Sequence, residues 1–246
     1  LAARSLGVPF FVHEANARAG LANRLGQRLG GVGFNAVADS GMPGEVVGVP
    51  VRAVLRSGDT AAAADRARER WGLLPGRKTL LVTGGSQGAV NLNRAVEGAV
   101  DTLTAAGGVQ VLHAYGKRNT APVPRDHYVA VPYIDDMAAA YAVADLIVCR
   151  SGAMTVAEVT ASGLPAVYVP LPHGNGEQAL NATGVVEAGA ARLVADEQLT
   201  PDRLVSEVTE ILGDDELLAT MRAAARGHSA GDAAAHIADA IASSLQ

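Results

Sequence analysis

The stretch "CRSGAMTVAEV", Cys149 to Val159, gathers a hydroxyl, a glycine and a carboxylate around one helix start. Ser151 and Gly152 form a strand-to-helix corner whose free N–H groups can hold an anion. Thr155 and Glu158 are three residues apart and share a helix face. Phosphate oxygens could sit at the corner while Glu158 accepts both hydroxyl protons of an adjacent sugar diol. The alternative is an acid that merely favours the positive end of a helix. A second corner, "LLVTGGSQGAVNLN", runs Gly84-Gly85-Ser86-Gln87-Gly88 between a strand and a helix, where small residues let the backbone approach a phosphate. It has neither the Gly-Lys-Ser/Thr ending of a P-loop nor the dinucleotide-fingerprint spacing, so a plain tight turn is the other reading. In "VPLPHGNGEQALNA", Glu177 and Gln178 open a helix with a carboxylate and an amide side by side, which suits hexose hydroxyls or an ordinary surface loop. His173, in the same loop, reads as a solvated histidine. In "VHEANARAG", His13, Glu14 and Asn16 stand where a strand ends, which is a binding position or a polar corner. His13 and Glu14 do not have metal-ligand spacing.

These corners need strands to deliver them and helices to carry them away, and the chain alternates the two throughout. That is the pattern of a parallel sheet covered by helices. "VPFFVHE", "GVGFNAVA" and "EVVGVPV" read as strands, with "GLANRLGQRLG" as a helix between the first two. Residues 59–71 are helical in spacing, and "GLLPGRK" breaks the pattern with Gly and Pro. A fresh α/β unit follows: strand "TLLVT", helix "VNLNRAVEGAVDTL", strands "VQVLHAYG" and "HYVAVPYI", then helix "DDMAAAYAVA", expected to be capped by Asp135. Strand "DLIVCR", helix "AMTVAEVTAS", strand "PAVYVPL" and helices "EQALNATGVVEAG" and "TPDRLVSEVTEILGD" complete it. The tail "DAAAHIADAIASSLQ" reads as an amphipathic helix with Ala and Ile on one face. Ligands of such sheets bind beyond the carboxyl ends of the strands, where the four motifs lie.

Composition removes several alternatives. Aromatic residues are 4% of the 246 and the formal net charge is -5, which argues against nucleic acid as a partner. Cys149, the one cysteine, allows no intrachain disulfide or thiolate cage and suggests a reducing compartment. No apolar run nears the ~20 residues needed to span a bilayer. The start has no initiating Met, charged leader or cleavage site, and the expectation is a chain that has lost an N-terminal portion. Residues 1–56 carry six arginines against three acids, a basic end that could face an anionic membrane or reflect ordinary scatter. A hydride-transfer enzyme would need a glycine fingerprint and a ribose acid that the chain lacks. Two helix starts, a diol-binding acid and a hydroxyl-binding loop on one rim fit a nucleoside diphosphate sugar.

Through "HEANARAGLANR", "VVGVPVR", "VTGGSQGAVNLN", "YIDDMAAAYAVADLIVCRSGAMTVAEV", "SGLPAVYVPLPHGNGEQALNA" and "AGAA", the chain resembles the MurG family of glycosyltransferases, which make peptidoglycan lipid II. The pieces are correctly ordered and cover most of the chain, in an Ala/Arg-rich style like that of actinobacteria. The resemblance implies an α/β GT-B fold of two Rossmann-like doubly wound domains, the first only partly present. Residues 1–57 would close the acceptor domain, 58–78 link the two, 79–225 bind the UDP-sugar, and 226–246 form a helix packing back toward the first domain. The implied reaction is inverting transfer of GlcNAc from UDP-GlcNAc to undecaprenyl-pyrophosphoryl-MurNAc-pentapeptide (lipid I to lipid II), at the cytoplasmic face of the plasma membrane. Cell-wall synthesis proteins would be further partners, and neither a metal nor another cofactor is expected.

Carried over by position, Ser86 and Gln87 would lie near the diphosphate and Ile134 would meet the uracil through its main chain. Met154 and Thr155 would touch phosphate, Glu158 would hold the ribose diol, and Glu177 and Gln178 would bind the GlcNAc hydroxyls. Asn16 and Arg52 would line the cleft, and His13 is the one candidate base in this chain. Ala15 replaces the Gln of "HEQN", Val49 the Asn of "GNPVR", and Glu177 a Gln or His. The family's "GGTGGH" segment, with its proposed general base, has no counterpart, so the chain would begin midway through the acceptor domain. The alternatives are a catalytically incomplete UDP-sugar binding fragment, another GT-B glycosyltransferase, or a UDP-GlcNAc epimerase.

Overall fold

The computed structural model describes residues 1–57, 60–85, 88–105, 108–172, 176–229 and 231–244. The first segment comprises α1 (Ala2–Ser5), β1 (Phe11–Glu14), α2 (Leu21–Arg28), β2 (Val32–Asn35) and β3 (Glu45–Val46). Its strands form a parallel sheet in the order β1-β2-β3, with Phe11 opposite Val32 and Glu14 opposite Asn35. The crossover helix α2 is flanked by Gly20 as N-cap and Leu29 as C-cap, and Gly30 turns the chain at φ 101°. Two helices, α3 (Val54–Ser57) and α4 (Thr60–Trp71), lead to the second unit.

That unit contains β4 (Lys78–Thr83), α5 (Val90–Ala105), β5 (Val109–Ala114), β6 (Tyr128–Val131), α6 (Met137–Val143), β7 (Leu146–Cys149) and α7 (Ala153–Ala161). It continues through β8 (Ala166–Tyr168), α8 (Glu177–Glu187), β9 (Ala191–Leu193), α9 (Pro201–Leu212) and α10 (Asp215–His228). Its sheet runs β6-β5-β4-β7-β8-β9, every pairing parallel. Side chains alternate across a strand, and both faces are covered, which is why these strands read as unbroken apolar runs. Leu80 and Val82 face α5 and α9 through Leu92, Val96, Leu204 and Ile211. Leu81, Ile147 and Cys149 face the opposite layer through Tyr141, Val156, Val159, Ala182 and Val185.

Three details differ from the sequence expectation. Asp136, not Asp135, caps α6, its carboxylate accepting from the Ala139 N–H at 3.0 Å. The carboxylate of a capping residue must reach forward to an N–H two or three residues on, in the first turn, and Asp135 lies one residue too early for that. Strand β9 and helix α10 come unannounced: β9 is too short for periodicity, and the buried stripe of α10 is only Leu218, Met221 and Ala225. Helix α11 (Ala233–Ser243) does form in the tail, but Ala233 is its one buried residue. Polar contacts hold it instead: Arg56 pairs with Asp232 at 2.5 Å and His236 with Glu45 at 2.9 Å.

Candidate functional site

The sheet order places the site. The chain leaves β4 toward β5 and β6, then returns to β4's other side as β7. Thr83 therefore lies opposite Cys149, and the loops after these two strands diverge from adjacent points. Such a reversal opens a crevice at the carboxyl ends of the strands. The Gly84 loop flanks it on one side and the Arg150-Ser151-Gly152 corner on the other. Two adjoining cavities occupy it. One, of about 190 Å³, is lined by Thr83, Gly85, Ile134, Tyr141, Thr155 and Glu158 among others. The other, of about 640 Å³, is lined by Gly84, Gly88, Asn91, Arg94, Gly152 and Gln178 among others. Gly85, Arg150 and Thr155 belong to both.

The glycines are needed where they stand. A Cβ on Gly84 would overlap the Ala89 N–H, and one on Gly88, at φ 73°, would overlap the Tyr115 carbonyl. Gly152 caps α7 without a side-chain hydrogen bond. The N–H groups of Ala153, Met154 and Thr155 have no partner among the described residues. A helix start with open donors attracts an anion, and the first residues of α5, Val90 and Asn91, line the same crevice. Ser86 and Gln87 lie outside the described residues.

Glu158 sits one turn into α7 with its side chain 19% exposed. Its Oε1 accepts from Arg52 Nη2 at 3.2 Å, and its Oε2 accepts from the Tyr141 hydroxyl at 3.2 Å. Arg52 comes from the link between the two units and is half exposed. Burial, and then the charge of Glu158, push the Tyr141 hydroxyl above the usual tyrosine range, so it remains a donor. Ile134 lines the smaller cavity, and neither its N–H nor its C=O is used by another described residue. Met154 is 47% exposed beside the corner.

Around the wider cavity, Gln178 Oε1 accepts from the Leu171 N–H at 3.0 Å, tying the loop to the start of α8. Glu177 opens α8 but is not among the residues lining either cavity. His13 is not brought there either. Its Nε2 donates to the Gly48 carbonyl at 2.8 Å, which ties β1 to the loop after β3. Asn16 lies at the boundary: its Oδ1 accepts from Asn181 Nδ2 at 3.3 Å, and the Ala17 N–H donates to Asn181 Oδ1 at 2.8 Å. Glu14 organises that corner. Burial alone would raise its carboxyl, but the N–H groups of Asn16 and Gly20 and the amides of Asn23 and Asn16 hold it below the usual range.

Arg150, Asp196, Asn181 and Tyr141 belong to the site although the sequence reading gave none of them a role. Arg150 Nη1 donates to the Val169 and Pro170 carbonyls and stands 2.6 Å from Asp196 Oδ1, an ion pair without hydrogen-bond alignment. An arginine directly after an apolar strand was a usable signal for Arg150. Asp196, Asn181 and Tyr141 gave none, because each is brought in by tertiary packing. Among the described residues, no group of three or more His, Cys, Asp or Glu side chains is placed to hold a metal ion.

Residues 79–237 match the model of the glycosyltransferase family 28 C-terminal domain. A UDP-N-acetylglucosamine–N-acetylmuramyl-(pentapeptide) pyrophosphoryl-undecaprenol N-acetylglucosamine transferase of Corynebacterium efficiens is 67% identical over 98% of this chain and 67% of its own length. The transferase of the same description from Mycobacterium avium is 56% identical, over 95% of this chain and 58% of its own length. Among solved structures, MurG of Acinetobacter baumannii superposes with a TM-score of 0.77 at 32% identity, covering 98% of this chain and 69% of that one. A putative UDP-N-acetylglucosamine 2-epimerase from Listeria monocytogenes, 15% identical, shares the fold at a TM-score of 0.69 over all of this chain and 70% of its own.

Proposed function

We infer the function from one premise: the chain belongs to the MurG family of glycosyltransferases. It is a UDP-GlcNAc-dependent hexosyltransferase of peptidoglycan synthesis, passing GlcNAc to undecaprenyl-pyrophosphoryl-MurNAc-pentapeptide, lipid I, to give lipid II. The chain spans about two thirds of the length of these relatives.

How the site does this is our proposal. The smaller cavity takes the uridine, with the Ile134 main chain against the base and Glu158 on the ribose diol. The starts of α5 and α7, with Ser86, Gln87, Met154 and Thr155, take the diphosphate. Gln178 and Glu177 take the GlcNAc hydroxyls in the wider cavity, while Asn16 and Arg52 line the acceptor side. In the reaction the acceptor hydroxyl oxygen bonds to the anomeric carbon as the bond to the diphosphate oxygen breaks, with inversion. The hydroxyl proton leaves to a base, and UDP departs with the bonding pair. The helix starts and Arg150 meet the charge gathering on the diphosphate, and no resident cofactor enters the proposal. His13 is spent on Gly48 and is left out of this mechanism.

The observation that carries this reading is the meeting of two helix starts and Glu158 at the β4–β7 reversal. Calorimetric titration with UDP and a transfer assay with a lipid I analogue test it. Glu158→Ala is expected to weaken UDP binding at least tenfold, since hydrogen bonds to a charged group contribute about 1.5–3 kcal/mol. Unchanged UDP affinity in that variant would sink the diol assignment. Binding without transfer would assign this chain the donor half of the reaction alone.

We also propose peripheral contact with an anionic membrane surface through the first segment. Helix α2 buries no residue, and Leu21 (83% exposed) and Leu25 (57%) share a face with Arg24 and Arg28. No helix among the described residues is long and apolar enough to cross a membrane. Co-sedimentation with anionic vesicles should fall as salt rises. Equal binding to neutral vesicles would count against it.

A further inference from the structure

We propose that Tyr141 is a positioning residue that fixes the Glu158 carboxylate for discrimination of ribose from 2′-deoxyribose. The proposal rests on the reading that Glu158 receives the ribose diol. Tyr141 lies on α6, in a different layer element from Glu158, and its ring is 5% exposed beneath the smaller cavity. Its hydroxyl donates to Glu158 Oε2 at 3.2 Å. Packing against Leu81, Ile147 and Val156 in one core cluster leaves the ring little freedom. The other partner of the carboxylate is of a different kind. Arg52 reaches Oε1 from the linking segment with its side chain 52% exposed.

The two contacts therefore have unequal lifetimes in the presence of a ligand. A carboxylate has about four lone-pair directions, and Tyr141 occupies one on Oε2. Its buried hydroxyl cannot swing away, whereas the exposed guanidinium of Arg52 can yield Oε1 to an incoming donor. Held at one oxygen, the carboxylate cannot rotate about its terminal bond. Oε1 and the second lone pair of Oε2 then face the cavity together, spaced for two vicinal hydroxyls. Without the phenol, the carboxylate is free to turn toward Arg52, and the two acceptors lose their shared direction. A site built to bond a hydroxyl rejects the analogue that lacks it, and that rejection weakens when the acceptor is no longer held.

The test is displacement of labelled UDP by UDP and by 2′-deoxy-UDP, on the full chain and on Tyr141→Phe and Glu158→Ala. The parent chain should prefer UDP by about tenfold or more, the worth of a hydrogen bond to a charged acceptor. Tyr141→Phe should narrow that preference at least threefold while changing 2′-deoxy-UDP affinity less than twofold. Glu158→Ala should abolish the preference. If Tyr141→Phe keeps the full preference while Glu158→Ala removes it, the positioning role is wrong and the diol reading stands. Equal losses for both nucleotides in Tyr141→Phe also overturn the positioning role, because packing alone would produce them. If Glu158→Ala retains the preference, the diol reading itself fails. A melting curve on Tyr141→Phe, which keeps the ring, separates misfolding from these outcomes.

Discussion

His113 is wholly buried between two polar partners, and its protonation can be worked out from them. Asn93 Nδ2 donates to the Tyr115 carbonyl at 2.9 Å, which turns Asn93 Oδ1 toward His113 Nε2 at 3.0 Å. His113 must donate from Nε2, so Nδ1 accepts from the Tyr128 hydroxyl at 2.7 Å. The ring is neutral, and burial pulls it down to about 4. Above pH ~6.5 folded and unfolded chains are both neutral there, and the contribution to stability is complete. Between ~6.5 and 4 the unfolded chain binds a proton that the folded one refuses, so stability falls with pH, by at most about 3 kcal/mol. Urea unfolding from pH 7 to pH 4 should show that slope, and His113→Asn should flatten it; an unchanged slope would place the titration elsewhere. Glu158 stood out only beside the neighbouring glycine corner and the family motif, because a carboxylate near a helix start is by itself explained by the positive end of the helix. Tyr141 did not stand out, because nothing local distinguishes it from the alanines around it; only the fold of α6 against α7 brings its hydroxyl to Oε2.

At the scale of elements, the same network supports the turn into α5. Asn93 lies in the first turns of α5, and the Tyr115 carbonyl it holds is the atom a Cβ on Gly88 would strike. Gly88→Ala would face that overlap together with the Asn119 amide, and a positive φ that L side chains resist at a cost of about 1–3 kcal/mol. We expect it to lower the melting temperature and to weaken UDP binding more than tenfold, read by thermal melts and calorimetry on the same sample. Wild-type UDP affinity in that variant would show that the turn does not form the diphosphate site. Most elements were legible because the strands, buried on both faces, leave continuous apolar runs bounded by glycines. What escaped was short or sparsely patterned. Strand β9 is three residues long, α10 buries a narrow stripe, and the cap of α6 could not be told from the acid before it.

Across the whole molecule, polar side chains make the hydrogen bonds and ion pairs that tie the two units. Asn181 joins the Asn16 side chain and the Ala17 N–H to the Ser151 carbonyl, Arg52 meets Glu158, and Arg56 and Glu45 hold the start and first turn of α11. None of these pairings could be read along the chain, since each joins residues 106 or more positions apart except that of Asn181 with Ser151. The parallel architecture could be, from the alternation of strands and helices, whereas the reversal at β4 and β7 emerges only from the pairing of the strands. One residue at that reversal has a practical consequence. Cys149 is the sole cysteine, fully buried in β7, and burial pushes its thiol well above the usual range. A maleimide would find no reactive thiolate in the folded protein. New cysteines at exposed Val54 and Met154 could therefore take dyes without first removing the native one. The natural chain already serves as a silent background for labels at these two positions.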